Sequence, residues 1–328
     1  MAAMTKNDQP LAAVVGDIGG TNARFALADL SDAARPTISD SVHLPSADFD
    51  SLKSALAEYL KRVTPETTPR AAVIDVAGPV ADGEAKLTNL PWHVSEAALM
   101  EFGFAKAHLV NDFRALAAAA DLLGDDELDP IGPTLPRAAD ATIAIVGAGT
   151  GFGTSALVRE KNTVIAAAGE GGHIGFAPED DIEIEILRLL ARRFGRVSVE
   201  RIVSGPGLVH LYEALCEIAG TRPRFSEPPQ ILDEAKRAQG TAREAVERFC
   251  AIFGAAAGDI ALVYGARGGV LIAGGLSEAM APFLKSCDFR TRFEGKGRLA
   301  HFVRQIPTHL ITHPDAALLG CARLAQAL

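Results

Sequence analysis

The residues able to do chemistry sit in a few short clusters. "VVGDIGGTNARFAL", Val14–Leu27, sets Asp17 after one apolar run, then Gly19, Gly20, Thr21 and Asn22 before the next. Two readings fit this stretch. A tight hairpin needs residues that tolerate positive φ. A phosphate cradle needs the same glycines for close backbone approach, with Thr21 and Asn22 adding side-chain hydrogen bonds and Asp17 facing a metal ion or its water shell. "LVNDF" puts Asp112 beside Asn111 at the end of an apolar strand, the edge where α/β sites gather. A carboxylate there can accept the proton of an alcohol as a phosphoryl group is transferred to it, or it can cap the helix that starts at Phe113. "GEGGHIGF" holds Glu170 and His173, either as exposed charges in a flexible loop or as a polyol clamp. In a clamp the carboxylate accepts from hydroxyls and a neutral imidazole both donates and accepts. Glu200, in "SVERI", supplies a second carboxylate or is a solvated helix residue. A metal site at His173 is disfavoured, because no third ligand lies close by.

Two further glycine elements follow apolar strands. "GAGTGFG" carries Gly149, Thr150 and Gly151, and "LIAGGL" carries Gly274 and Gly275. Two glycine hairpins in two domains can face one polyphosphate, and Gly274 and Gly275 would let a flat adenine and ribose lie against the backbone. Each loop alone is an ordinary turn; together they are harder to dismiss. Other nucleotide motifs are absent. There is no G-x-x-x-x-G-K-[ST]. Counted from Gly147, the third glycine of G-x-G-x-x-G falls on Phe152, and a strand-like "TSALV" follows instead of a helix.

These clusters need an α/β scaffold. The first glycine stretch reads as a hairpin, with a third strand in "TISDSVHLP" and a helix in "FDSLKSALAEYLKRV", Asp at its front and Lys and Arg at its back. "RAAVIDVAGPV" is a buried strand, "LTNLPWHV" a short strand and turn, and "SEAALMEFGF" a helix capped by Ser95. The acidic, proline-rich "LGDDELDPIGPTLPRAAD" marks a boundary. After it the strand, glycine turn, strand theme returns in "ATIAIVGAGTGFGTSALV", which suggests an internal duplication of architecture. Further on, "AREAVERFCAIFGAAAGDIALVYG" reads as a long amphipathic helix, and "RGGVLIAGGLSEAMAPFLKS" as a buried strand, a glycine pair and a helix. The chain closes with a strand in "IPTHLITHP" and a helix in "DAALLGCARLAQAL". The polar segment Thr221–Thr241 carries no chemistry that can be identified from its residues.

Composition narrows the classes. With 328 residues the expected domain count is about two. A net charge of −9 argues against a nucleic-acid backbone as the main partner. It does not disfavour a small anion, since backbone dipoles bind anions. Cys216, Cys250, Cys287 and Cys321 lack metal-ligand spacing and read as buried free thiols in a reducing compartment. The first ten residues lack an apolar signal region, and the most apolar zone, Cys250 to Leu276, is broken by Asp259 and Arg267. The expectation is a cytoplasmic protein without a membrane partner.

With these motifs in order, the chain resembles the bacterial glucokinase family, part of the sugar kinase, actin and heat-shock ATPase superfamily, from Val14 to Leu324. "GDIGGTNARFAL" and "GAGTGFG" look like its phosphate motifs, "LVNDF" its catalytic strand end and "GEGGH" its sugar loop. "ERIVSGPGLVHLY", "LIAGGL" and "ALLGCARL" also match. The resemblance implies a two-domain, actin-like (ribonuclease H-like) α/β fold with a deep interdomain cleft that closes on glucose. It implies a small domain of 1–122 with 314–328 and a large domain of 123–313. It implies glucose phosphorylated by ATP and Mg2+, with Asp112 as general base and Asn111, Asp112, Glu170, His173 and Glu200 on the sugar hydroxyls. Asp17 would support the metal, Gly19, Gly20, Thr21, Asn22, Gly149, Thr150 and Gly151 would face the phosphates, and Gly274 and Gly275 the nucleoside. Family members are typically homodimers. No cysteine follows His173 until Cys216, so the zinc loop of the related repressor and sugar kinase family is not expected, and the stretch before Val14 is too short for a DNA-binding helix-turn-helix. The alternatives are a kinase for fructose or mannose, and a non-catalytic sugar sensor on the same fold.

Overall fold

The computed structural model describes residues 11–65, 68–87, 90–161 and 163–328. The chain forms two compact units: the described residues through Gly124 together with His313–Leu328, and Asp125–Thr312.

Unit 1 is built on strands β1 (Ala12–Ile18), β2 (Asn22–Asp29), β3 (Thr37–Pro45), β4 (Ala71–Val76), β5 (Glu84–Lys86), β6 (His93–Ser95) and β7 (Lys106–Asn111). Its main sheet has the order β3-β2-β1-β4-β7, and β5 and β6 form a separate ribbon. β1, β2 and β3 are an antiparallel meander, whereas β4 and β7 run parallel to β1. β4, "AAVIDV", is buried at all six positions, as an interior parallel strand covered on both faces should be. One face packs on Leu52, Leu56, Tyr59 and Trp92; the other packs on Ala115, Leu318, Cys321 and Ala322. The second set comes partly from the C-terminal helix Ala316–Ala325, which therefore belongs to unit 1. The first helix, Leu52–Val63, is capped by Ser51 in a reciprocal pair with Ser54; Asp50 at its front is not the cap. Of the strand and turn expected over Leu87–Val94, residues 88–89 lie outside the described residues and β6 begins at His93.

Unit 2 holds β8 (Leu128–Pro130), β9 (Ile143–Ala148), β10 (Phe152–Glu160), β11 (Thr163–Gly169), β12 (Gly269–Ala273) and β13 (Thr308–Ile311), in the order β11-β10-β9-β12-β13-β8. Here too three strands form an antiparallel meander and the next two are parallel to the first. Both sheets thus repeat one arrangement, a duplication that the two glycine hairpins had suggested. The helix Thr241–Tyr264 is buried through most of its middle, from Phe249 to Gly258, so it is a core helix and not a surface one. Phe253 packs edge-on against Phe152, Phe249 and Phe289 at 5.4–6.2 Å. After β12 two short helices, Gly275–Ala279 and Ala281–Ser286, replace the single expected one. Pro282, lacking an N–H, sits in the first turn of the second helix and restarts it there. No helix among the described residues is long and apolar enough to cross a membrane.

Candidate active site

The site residues of unit 1 lie at the C-terminal edge of its parallel strands. Asp17 of β1 stands opposite Arg24 on β2 and level with Asp75 on β4; Val76 is level with Asn111 on β7. Asp17, Asp75 and Asp112 therefore form a row of carboxyl groups across three neighbouring strands.

Asn111 and Asp112 divide the work at the end of β7. Asn111 is the cap of the helix Asp112–Ala119: its Oδ1 accepts from the N–H groups of Phe113 at 3.0 Å and Arg114 at 3.3 Å. Asp112 is the first helical residue and not the cap. Its Oδ1 accepts from Phe113 N–H at 2.9 Å and from Asn111 Nδ2 at 2.8 Å, and Asn111 Nδ2 also donates to Gly78 O at 3.1 Å. The carboxylate is thus held by two donors on one oxygen. Burial, opposed by the Phe113 N–H and reinforced by the charge of Asp17, pushes the Asp112 carboxyl up to about 7. That is the range in which a carboxylate works as a general base near neutrality.

Asp17 is ion-paired with Arg24, whose other guanidinium nitrogen donates to Pro314 O at 2.9 Å. The sequence reading missed Asp75. It is fully buried, Cys321 Sγ donates to its Oδ2 at 3.3 Å, and its Oδ1 takes no hydrogen bond. Burial first, then the charges of Asp17 and Asp112, push the Asp75 carboxyl well above the usual range, with the Cys321 thiol acting the other way. The signal was present: a lone carboxylate in the apolar run "AVIDV". The glycine turn itself is closed by Gly19 N–H donating to Asn22 O at 2.9 Å, while Thr21 O accepts from Ser46 N–H at 2.9 Å.

Unit 2 carries the other clusters. In the β9–β10 turn, Gly149 N–H donates to Gly151 O at 2.9 Å, and Gly149 O accepts from Gly205 N–H at 2.8 Å. The N-terminus of the 14-residue helix Gly205–Ile218 is thereby fixed against the turn, with Ser204 as its cap. Ser277 Oγ accepts from Ala148 N–H at 3.0 Å, which ties the Gly274–Gly275 element to the same strand end. Gly274 has φ +94°, and an added Cβ would lie 2.5 Å from Ala148 O, so only glycine fits.

The loop holding Glu170 and His173 is clamped by Thr154, whose Oγ1 donates to Gly169 O at 3.0 Å and accepts from Gly171 N–H at 2.9 Å. A Cβ on Gly172 would fall 2.2 Å from Phe152 O, which shows how closely the loop is pressed to β10. His173 Nε2 lies 3.9 Å from Glu170 Oε2 and 4.0 Å from Glu200 Oε1. Glu200 Oε2 accepts from Phe152 N–H at 2.9 Å, a contact no spacing rule would reveal. Glu170, His173 and Glu200 do converge. They form two carboxylates and one imidazole that retain hydrogen-bonding capacity, suited to vicinal hydroxyls.

Beside these loops unit 2 has a pocket of ≈ 690 Å³. Gly149, Thr150, Gly205, Pro206, Gly275 and Leu276 line one part; Arg193, His210 and Glu213 line another, with Ser226, Glu227 and Pro228. The last three come from the segment Thr221–Thr241, so that stretch does contribute a wall. Its role was illegible because the contact joins helix starts far apart in sequence. Among the described residues no group of three or more His, Cys, Asp or Glu side chains could hold a metal ion by itself.

The glucokinase family model matches residues 14–328. A glucokinase of Caulobacter vibrioides is 47% identical over 312 residues, which cover 94% of this chain and 93% of the relative. The crystal structure of a glucokinase from an Antarctic psychrotroph is 37% identical, with a TM-score of 0.89 over 97% of this chain and 99% of the other. That of a glucokinase from Balamuthia mandrillaris in complex with glucose shares the fold at 20% identity, with a TM-score of 0.78 over 99% and 96% of the two chains.

Proposed function

Since the chain belongs to the glucokinase family, we propose that it transfers the γ-phosphoryl group of ATP to the 6-hydroxyl of glucose. The observation that carries the mechanism is Asp112, a carboxylate fixed by Asn111 and Phe113 and held at about 7. In this reading Asp112 accepts the 6-hydroxyl proton as the oxygen attacks phosphorus, and Glu170, His173 and Glu200 hold sugar hydroxyls. Asn111 keeps the Asp112 carboxylate aimed; its Nδ2 is engaged by Asp112 Oδ1 and Gly78 O and its Oδ1 by two helix N–H groups, so it acts on the sugar through Asp112 rather than by a contact of its own. The pocket beside Gly149, Gly205 and Gly275 takes the nucleoside. Backbone N–H groups of Gly19–Asn22 and Gly149–Gly151 stabilise charge on the phosphates.

Magnesium is bound by one or two carboxylates plus substrate phosphates, not by a full protein cage. The carboxyl row fits that habit, since Asp17 is a hard oxygen donor beside the glycine turn and Asp75 Oδ1 is an orphaned buried oxygen next to it. Asp17 would hold the ion, directly or through water, and the ion would neutralise developing charge on the β- and γ-phosphates.

A kinase for fructose or mannose would use the same base and the same phosphate loops; only the fit of each hydroxyl to Glu170, His173 and Glu200 separates them. A sugar sensor would bind without turnover. ADP release measured across glucose, mannose and fructose, with and without EDTA, decides among these. Glucose is expected to give the highest kcat/KM and EDTA to abolish turnover. Preference for another hexose, or full activity in EDTA, would overturn the corresponding part. The family also implies a cytoplasmic homodimer, and sedimentation equilibrium tests the dimer.

A further inference from the structure

The loop holding Glu170 and His173 is fastened along one side to the stretch 196–200. Phe176 N–H donates to Val197 O at 3.1 Å, and Val199 N–H donates to Ile174 O at 3.0 Å. A third bond is made by a side chain: Arg196 Nη1 donates to His173 O at 2.7 Å, across 23 residues. His173 ends the short 3-10 turn Gly171–His173, so its carbonyl is one of those a helical turn leaves without an internal partner. A cationic donor suits such a carbonyl, because charge-assisted hydrogen bonds are the short, strong ones. Gly195, at φ +74°, ends the helix Asp181–Phe194 just before Arg196. Arg188, Arg192 and Arg193 of that helix face Glu185, Glu217 and Glu213, whereas Arg196 gives its guanidinium to the loop.

The imidazole itself is held less firmly. Its Nε2 is 3.9 Å from Glu170 Oε2 and 4.0 Å from Glu200 Oε1, beyond hydrogen-bond reach of either carboxylate. The place of the ring is therefore set by its main chain. Glu200 stands at the end of the same stretch and has its own anchor, the bond from Phe152 N–H at 2.9 Å. One short segment thus sets two members of the cluster, Glu200 directly and His173 through Arg196. We propose that Arg196 is a positioning residue for the sugar: by holding the His173 carbonyl it sets where the imidazole meets a hydroxyl. This rests on the reading of Glu170, His173 and Glu200 as hydroxyl ligands. The sugar is gripped alike before and during phosphoryl transfer, so losing the contact weakens the ground state and the transition state together. KM for the sugar rises and kcat stays near its original value.

The test compares the full-length wild type with Arg196→Ala, His173→Ala and the double variant, by steady-state kinetics and by calorimetry of glucose binding. Arg196 is exposed, so its replacement leaves the core untouched. Arg196→Ala should raise both KM and Kd for glucose about five- to tenfold, the loss of one exposed charge-assisted bond, with kcat within about twofold and the KM for ATP unchanged. The double variant should bind glucose within about twofold of His173→Ala, because Arg196 acts through that ring. An unchanged KM for glucose, a matching rise in the KM for ATP, or a double variant in which the two losses multiply would overturn the proposal and leave the kinase reading intact. If the wild type binds glucose without turnover, the kinase reading fails and the calorimetric comparison still decides the role of Arg196. A wild type that neither binds nor phosphorylates glucose would overturn both.

Discussion

At the scale of single residues, the proposed base Asp112 would concentrate both the chemistry and its cost. Its carboxyl titrates at about 7 in the folded chain against 3.8 for an ordinary Asp. As a base it acts ionised, so kcat/KM should rise as pH is raised through about 7 and then level off; a flat profile between pH 6 and 8 would contradict the role. The sign for stability is opposite. Between pH 4 and 7 the folded chain binds this proton more tightly than the unfolded chain, so the contribution is fully present below about pH 4 and is lost as pH rises through 7. Asp112→Asn removes that burden. At pH 8 the variant should be more stable than the wild type by on the order of 2 kcal/mol, from about 1.4 kcal/mol per pKa unit after discounting, and should melt at a higher temperature. The gap should shrink toward pH 4, and equal melting temperatures at both pH values would contradict it. Asp17 and Asp112 were legible because each is a charge at the end of an apolar run. Asp75 was visible as a lone carboxylate inside such a run, but its protonation was not, because that depends on the helix bearing Cys321 that covers it. Arg24 was within reach: the hairpin register places it opposite Asp17.

At the scale of elements, the strand ends and glycine turns were readable from composition, since apolar runs and turn residues report local physics. What the local pattern could not supply were contacts between turns. Glu200 reaches the Phe152 N–H across 48 residues, and Ser277 reaches Ala148 across 129. The buried middle of Thr241–Tyr264 likewise depends on what surrounds it, because its small and apolar residues suit a surface or a core. The loop holding Glu170 and His173, the proposed sugar loop, offers the sharpest test of element packing. Gly172→Ala would press a methyl against Phe152 O at 2.2 Å, so the loop must shift and take Glu170 and His173 with it. The KM for glucose should rise about tenfold or more with little change in the KM for ATP, as steady-state kinetics would show. Equal effects on both would place the loop elsewhere in the mechanism.

At the scale of the whole molecule, one sheet plan is used twice, and the chain returns to the first unit to finish it. The C-terminal helix covers Ala13, Val15, Ala71 and Val73 on one face of the unit 1 sheet. Deleting 313–328 should therefore expose that face, and the truncated protein should aggregate or lose cooperative melting, which calorimetry would register; an unchanged melting curve would mean the helix is dispensable. In the proposed mechanism this family scaffold serves a transfer reaction with Asp112 as its base. The direct test is ADP release by Asp112→Asn beside the wild type, with glucose binding measured on both by calorimetry. Turnover should fall by about 10³-fold or more, on the scale of general-base removal in a phosphoryl transfer, while glucose still binds within about tenfold of the wild type. Turnover within tenfold of the wild type would contradict it and move the base to another residue.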